Sequence, residues 1–212
     1  MDNTKAILFV VTSFGRIDER HPTGLWFEEF AIPFERFTEE GYLVTVASIK
    51  GGMAPIDPRS LPENQESLTV KGPLEALKHT QRLMDVDITE YDAAFFPGGH
   101  GAMFDFPQSH EIAELVTRYL KQGKVVAAIC HAGWMLASAN IVRGKTATSY
   151  RSIKDDMVNA GANWVDREVV RDGTLITSRS PADLPAFMRT TIAALRERRH
   201  APLPERQVAL AG

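Results

Sequence analysis

The sequence predicts an α/β fold with a mostly parallel central sheet and helices on both of its faces. Nearly continuous apolar runs rich in β-branched residues are typical of strands that are buried on both sides. Four such runs occur, at residues 6–11, 43–47, 93–96 and 125–129. Amphipathic, helix-like stretches lie between them, at residues 25–40, 73–84 and 111–120. Buried strands that alternate with helices indicate right-handed crossover connections.

The C-terminal third continues the pattern with shorter elements. We expect a helix over residues 152–160, short strands at 164–165 and 169–170, a hairpin turn at Asp172-Gly173, a strand at 175–177, and a last helix from Ser180-Pro181 to about residue 199. The turn prediction depends on the Asp-Gly pair, which favours the left-handed backbone of tight hairpins. Gly161 is typical of a residue that ends a helix.

The length of 212 residues favours one domain, which we place at residues 1–199, followed by a loose tail over 200–212. A turn-rich segment without periodicity, at about residues 51–72, is expected to be a functional loop or an insertion. The net charge is −3, from 24 basic and 27 acidic residues. This near balance argues against a nucleic-acid-binding protein that depends on a broad basic face.

Cys130 is the only cysteine, which excludes an internal disulfide and a cysteine-cluster zinc site. The six histidines show no metal-binding spacing, so we expect no metal. A lone thiol fits a reducing compartment, and no apolar run approaches the ~18 residues of a membrane span. The expectation is a cytoplasmic protein that does not interact with a membrane.

Cys130 and His131 follow the predicted strand 125–129 directly, and a helical pattern begins after them. This is the context of a nucleophile elbow, a tight turn that presents a nucleophile at the edge of the sheet. The helix that follows would favour the thiolate and lower the pKa of the thiol. The alternative is an inert buried cysteine. Whether His131 contacts Cys130 stays open, because adjacent residues on such a turn tend to diverge.

A glycine-rich segment, Phe96-Pro-Gly-Gly-His-Gly101, follows another predicted strand. It lacks the glycine and lysine spacing of a phosphate-binding loop. We therefore interpret it as a loop that faces the elbow at the same sheet edge. The amide of Gly99 and the amide of His131 would together form an oxyanion hole.

Glu29 lies in a helical stretch, beside Leu25 and Ile32 on the helical wheel. Most glutamates in such a position are solvated. A glutamate covered by aliphatic neighbours would instead have a raised pKa and could transfer protons. Pro33 is expected to kink or restart this helix.

These residues together resemble the ThiJ/PfpI superfamily, a group of class I glutamine-amidotransferase-like proteins. Thr23-Gly-Leu-Trp-Phe-Glu-Glu29, Lys50-Gly-Gly-Met-Ala-Pro-Ile-Asp-Pro-Arg-Ser60 and Ala128-Ile-Cys-His131 are similar to its heat-shock-protein branch of glyoxalase III-type enzymes. Ser149-Tyr-Arg-Ser-Ile-Lys-Asp-Asp-Met157 and Asn159-Ala-Gly-Ala-Asn-Trp164 are more similar to the PfpI protease branch.

The resemblance implies a flavodoxin-like three-layer sandwich and a set of site residues. Cys130 would be the nucleophile, with His131 beside it and Glu29 in contact with the thiol. Gly99 and His131 would supply the oxyanion amides. A third, acidic member of the triad maps near Asp155. The resemblance also implies a homodimer or a higher homo-oligomer.

The leading hypothesis is a cofactor-independent glyoxalase III-type enzyme that converts methylglyoxal and similar small 2-oxoaldehydes to 2-hydroxy acids. Cys130 would form the adduct and Glu29 would shuttle the proton. Protein deglycase activity would use the same chemistry. The alternatives are a PfpI-type cysteine amidase or peptidase, and a stress-response chaperone or redox sensor.

Overall fold

The computed structural model describes residues 5–63 and 68–200. The strands of this part are β1 (Ala6–Val11), β2 (Arg16–Asp18), β3 (His21–Pro22), β4 (Leu43–Ser48), β5 (Gln81–Arg82), β6 (Ala93–Phe96), β7 (Val125–Ile129), β8 (Thr146–Ala147), β9 (Asn163–Trp164), β10 (Val169–Asp172) and β11 (Leu175–Ser178). Its α-helices are α1 (Phe27–Glu39), α2 (Leu68–Lys78), α3 (His100–Asp105), α4 (His110–Lys121), α5 (Trp134–Ser138), α6 (Lys154–Asn159) and α7 (Leu184–His200).

The largest sheet has seven strands in the order β10-β11-β7-β6-β1-β4-β5. All neighbouring strands in it are parallel except the edge pair β10 and β11. The hairpin is confirmed, because Asp172 pairs with Leu175 and Gly173 has the positive φ of 63° that the turn requires. The mostly parallel α/β fold is therefore as predicted.

Side chains of the central strands alternate between two hydrophobic cores, one on each face of the sheet. In β1, Phe9 points to a core shared with α1 and α7, whereas Leu8 points to a core shared with α4 and α5. Both side chains are fully buried. Helices thus cover both faces, which gives the three-layer sandwich.

The second predicted helix is wrong in its bounds. It begins at Leu68 rather than at 73 and ends at Lys78 rather than at 84. Thr80 instead exchanges two backbone hydrogen bonds of 2.9 Å with Gly52, and β5 then pairs with the end of β4. These long-range backbone contacts replace the helical ones, so the residues that follow Lys78 lead into the edge strand β5. The segment expected at 51–72 is accordingly shorter, since α2 occupies its end.

Two details of the first helix also differ from the sequence prediction. It begins at Phe27, because Leu25 is extended and bridges to Ile56. Pro33 lies inside a continuous helix. A proline removes only its own N–H, which would have reached the carbonyl of Glu29, so the later turns remain helical.

No helix in residues 5–63 and 68–200 has the length and apolar character needed to cross a membrane. Within the same ranges, no group of three or more His, Cys, Asp or Glu side chains is placed to hold a metal ion. The predicted tail over 200–212 lies outside the described residues, apart from His200 at the end of α7.

Candidate active site

Cys130 lies at the carboxyl end of β7, on the turn that leads into a short 3-10 segment, Cys130–Gly133. Its φ is +60°, a backbone conformation that is rare for a residue with a side chain. The thiol-bearing residue is 6% exposed. A strained turn between a buried strand and a helical segment is the geometry of a nucleophile elbow.

Two backbone amides converge on the sulfur. The backbone N–H groups of His131 and Gly99 both lie near enough to Cys130 Sγ to lower the pKa of its thiol. Gly99 has φ +104°, and a Cβ on it would lie 2.5 Å from the carbonyl oxygen of Gly24. Glycine is therefore required for this backbone to approach the segment that precedes α1. Both amides therefore lie at the elbow, where the sequence predicts an oxyanion hole.

Glu29 is fully buried beside this sulfur. Its Oε2 accepts a 2.8 Å hydrogen bond from Gly98 N, and its Oε1 has no hydrogen-bond partner among the described residues. Ile32, expected beside it, is 49% exposed, so the loop after β6 and the elbow cover Glu29 instead. Burial raises the pKa of Glu29 to about 8, although Gly98 N–H and the Cys130 thiol oppose the shift. The carboxyl group is therefore largely protonated at neutral pH.

The expected lowering of the thiol pKa is wrong for this site. Burial raises the pKa of Cys130, and the neighbouring Glu29 carboxylate raises it further, while the amides of His131 and Gly99 act in the opposite direction. The sequence indicates only the amides at the start of the helical segment. The desolvation of the thiol follows from tertiary packing, which no local sequence pattern shows.

His131 does reach the sulfur, which the sequence left open. Its Nδ1 lies 3.1 Å from Cys130 Sγ, and its Nε2 lies 3.0 Å from Ser152 Oγ. Burial, and then the proximity of His100, lower the pKa of His131 to about 4. The ring is consequently neutral at pH 7. If Nε2–H donates to Ser152, Nδ1 is free to accept the thiol proton.

Asp155 is not at this site. It lies exposed in the first turn of α6 and makes no hydrogen bond to His131 among the described contacts. An acidic third residue of a triad would bind Nε2 of His131. That contact is made instead by Ser152, three residues before Asp155. Both lie in the Ser149–Met157 motif, and only the fold shows which side chain faces the histidine.

The mouth of the site contains further side chains that sequence reasoning did not select. The ring of His131 packs between His100 and Tyr150, with centroid distances of 4.9 and 4.5 Å. Arg59, from the loop after β4, contacts His100 Nδ1 through Nη2 at 2.9 Å. The turn-rich composition of that loop signalled a function, but gave no indication of which residue reaches the site.

The fold and this site define a class of flavodoxin-like α/β proteins with a cysteine on a strand–helix elbow. The chain belongs to the DJ-1/PfpI family, which it matches over residues 26–194. A deglycase of Pyrococcus abyssi is 38% identical over 168 residues, which cover 79% of this chain and 92% of the relative. Protein/nucleic acid deglycase 2 of Escherichia coli is 35% identical over 171 residues, which cover 79% of this chain and 90% of that protein.

Solved structures agree with the fold. Glyoxalase III from Candida albicans has a TM-score of 0.75, with 24% identity, over 90% of this chain and 97% of that chain. At this identity the likeness shows the shared fold.

Proposed function

We propose that this protein converts small 2-oxoaldehydes such as methylglyoxal to 2-hydroxy acids, with Cys130 as nucleophile and Glu29 as proton carrier. The observation that carries the proposal is the fully buried Glu29, held by Gly98 N–H beside the thiol. A carboxyl group with a pKa of about 8 can give and take protons near neutral pH. A cysteine that reacted without proton transfer would not need this carboxyl group.

In the first step the thiol adds to the aldehyde carbon. His131 Nδ1, 3.1 Å from Sγ, takes the thiol proton, and a carbon–sulfur bond forms. The amides of Gly99 and His131 stabilise the developing oxyanion, which then receives a proton from Glu29. The result is a hemithioacetal, a Glu29 carboxylate and a protonated His131.

In the second step the proton moves along the carbon chain. The Glu29 carboxylate removes the hydrogen of the former aldehyde carbon, and protonated His131 gives its proton to the ketone oxygen, which yields an enediol. Glu29 then protonates the second carbon, and the hydroxyl on the first carbon loses its proton to Glu29. The thioester that remains is hydrolysed by water, which regenerates the thiol and releases the 2-hydroxy acid. The net reaction adds one water and needs no oxidant.

The relatives support this choice of chemistry. Two relatives, at 38% and 35% identity, are named deglycases. Removal of a 2-oxoaldehyde from an amine or a thiol passes through the same adduct with Cys130, so we include deglycase activity in the proposal. The small exposed area of Cys130 favours a small electrophile.

The test is lactate formation from methylglyoxal without glutathione, with the wild-type protein and with Cys130→Ala. We expect lactate with the wild type and only the background rate with the variant. Lactate at the same rate from both would overturn the proposal.

A second candidate function is a cysteine amidase or peptidase. One observation favours it: His131 lies within hydrogen-bonding distance of the sulfur, as a hydrolase requires. Release of a chromogenic amide that depends on Cys130 but not on Glu29 would favour this alternative over the glyoxalase reaction.

We also propose that the chain assembles as a homodimer or a higher homo-oligomer, because closed symmetric assemblies are common among soluble enzymes.

A further inference from the structure

The loop between β4 and α2 carries a charged pair that the mechanism above does not use. Asp57 in this loop is fully buried, whereas the side chain of Arg59 is 62% exposed. Asp57 Oδ1 accepts from Arg59 Nε at 2.8 Å, and Oδ2 accepts from Arg59 Nη2 at 2.6 Å. Two parallel bonds to a buried carboxylate hold the guanidinium in one orientation.

The carboxylate oxygens of Asp57 accept two further hydrogen bonds. Oδ1 accepts from the backbone N–H of Arg59 at 3.0 Å, and Oδ2 accepts from Thr23 Oγ1 at 3.2 Å. Although burial opposes it, these bonds and the charge of Arg59 hold the pKa of Asp57 below its ordinary value. The carboxylate therefore faces inward, and the cation lies on the outer side of the pair.

The contact with Arg59 in turn determines the tautomer of a neutral His100 ring. An arginine can only donate, so His100 Nδ1, 2.9 Å from Arg59 Nη2, must be the acceptor. The proton of a neutral His100 ring is then on Nε2. Among the described residues, neither His100 Nε2 nor Arg59 Nη1 has a hydrogen-bond acceptor, which leaves two oriented donors available.

A chain of ring contacts connects these donors to the Cys130 site. The His100 ring is 4.9 Å from the ring of His131, which itself contacts Cys130 Sγ. Arg59 is thus one imidazole ring away from His131.

We infer that Arg59 and His100 form an anion-recognition element at the mouth of the Cys130 site. The preferred substrates would be small carbonyl electrophiles that carry a carboxylate or phosphate close to the reacting carbon. Guanidinium and imidazole N–H groups bind both kinds of anion through charge-assisted hydrogen bonds. That these anions are substrates rests on the proposed function, but anion recognition itself can be tested without turnover.

The test compares alkylation of Cys130 by iodoacetate and by iodoacetamide, which differ in charge but react at the same kind of carbon. The measured quantity is the rate constant for iodoacetate divided by the rate constant for iodoacetamide. We expect the ratio to fall about tenfold in Arg59→Gln, the loss of roughly one charge-assisted hydrogen bond. Arg59→Lys, which keeps the charge, should retain most of the ratio.

Arg143→Gln is the matched control, since Arg143 is an exposed arginine bonded to Asn140, outside the site. It should leave the ratio unchanged. An Arg59→Gln ratio equal to that of the wild type would overturn the inference. If Arg59→Gln does not fold, the double variant Asp57→Asn/Arg59→Gln, which leaves no unpaired buried carboxylate, decides by the same ratio.

Competition identifies the kind of anion. At constant ionic strength, acetate and inorganic phosphate are each tested for slowing the iodoacetate reaction of the wild type and of Arg59→Gln. The anion that protects the wild type at the lower concentration indicates a carboxylate or a phosphate substrate, and protection of neither contradicts the inference. Lactate formation with an unchanged ratio would reject the inference alone, whereas an altered ratio without lactate would reject only the proposed function.

Discussion

The backbone nitrogen of Gly98 donates a 2.8 Å hydrogen bond to Glu29 Oε2, which ties the carboxyl group of α1 to the loop after β6. The other oxygen, Oε1, has no hydrogen-bond partner among the described residues, and the nearby Cys130 thiol lowers the pKa of the carboxyl group without offsetting the effect of burial. The hydrogen bond fixes the carboxyl group in place, and burial keeps it in its neutral form at the elbow.

The raised pKa of Glu29 predicts a pH-dependent cost to stability. Above about pH 4.5 the unfolded chain releases this proton, whereas the folded protein retains it up to about pH 8. The free energy of unfolding should therefore fall by about 1.4 kcal/mol per pH unit across this window through Glu29 alone. In Glu29→Gln that contribution should be absent, as measured by urea denaturation at pH 5, 6, 7 and 8.

Glu28→Gln provides the control, because Glu28 is exposed and should leave the wild-type slope intact. His131 contributes with the opposite sign: its folded pKa of about 4 means that stability is lost as the pH falls below about 6.5. This effect is common to all three proteins and cancels in the comparison. Identical slopes in the wild type and Glu29→Gln would show that Glu29 is not buried in neutral form.

Ser152 is expected to be a positioning residue for His131. Ser152→Ala removes the 3.0 Å contact to Nε2, so the ring loses its orientation and turnover of methylglyoxal should fall roughly tenfold. Ser152→Thr, which keeps a hydroxyl, should restore most of it. The quantities measured are kcat and its dependence on pH. Loss of the contact should shift the pH at which protonation of His131 lowers kcat.

Asp155→Ala is the companion variant, and it tests the acidic residue that the family resemblance suggested. We expect little change, because Asp155 is exposed on α6. A large loss in Asp155→Ala with normal activity in Ser152→Ala would reverse the assignment.

Much of the fold was accessible from sequence, because buried strands are recognisable from local composition. The runs at 6–11, 93–96 and 125–129 coincide with β1, β6 and β7. The helix expected at 73–84 failed where long-range pairing between Thr80 and Gly52 overrides local preference. Local pattern carries no information about such partners.

The site could be predicted from the sequence only in part. Cys130 and Gly99 each follow a buried strand, so their meeting at one sheet edge follows from parallel topology. The contact of Ser152 with His131 and that of Arg59 with His100 depend on side-chain directions across 21 and 41 residues. No periodicity in the sequence encodes those directions.

Gly98 is expected to tolerate no side chain. A Cβ there would lie 2.7 Å from Ile129 O, 2.8 Å from Cys130 Cβ and 2.9 Å from Glu29 Oε2. Gly98→Ala should therefore displace the elbow or the carboxyl group, with a cost of about 1–3 kcal/mol in stability and a turnover at least ~10-fold lower. Thermal denaturation and lactate formation measure the two effects.

Gly72→Ala is the matched glycine substitution, in α2. The nearest atom to its Cβ is Glu35 Oε1 at 3.1 Å, the mobile end of a side chain, and alanine favours a helix. We expect unchanged or slightly higher stability. Equal behaviour of the two alanine variants would contradict the close packing at Gly98.

The proposed assembly predicts a particle of at least twice the 23.5 kDa chain mass. Light scattering coupled to size exclusion, at micromolar protein concentration, measures this directly. A mass of one chain over the whole concentration range would reject the homo-oligomer.

The central claim is that Cys130 and Glu29 act together, and Glu29→Gln tests it most directly. The amide keeps the shape of the side chain and is easier to bury than a carboxylate, so the variant should fold. Turnover of methylglyoxal should fall at least ~10²-fold, the usual contribution of general acid–base catalysis. Iodoacetamide should still alkylate Cys130, and at lower pH than in the wild type, because the carboxylate that raises the thiol pKa is gone. Glu28→Gln should match the wild type in both assays. Full activity of Glu29→Gln, with Cys130→Ala inactive, would contradict the account, since the cysteine would then work without this carboxyl group.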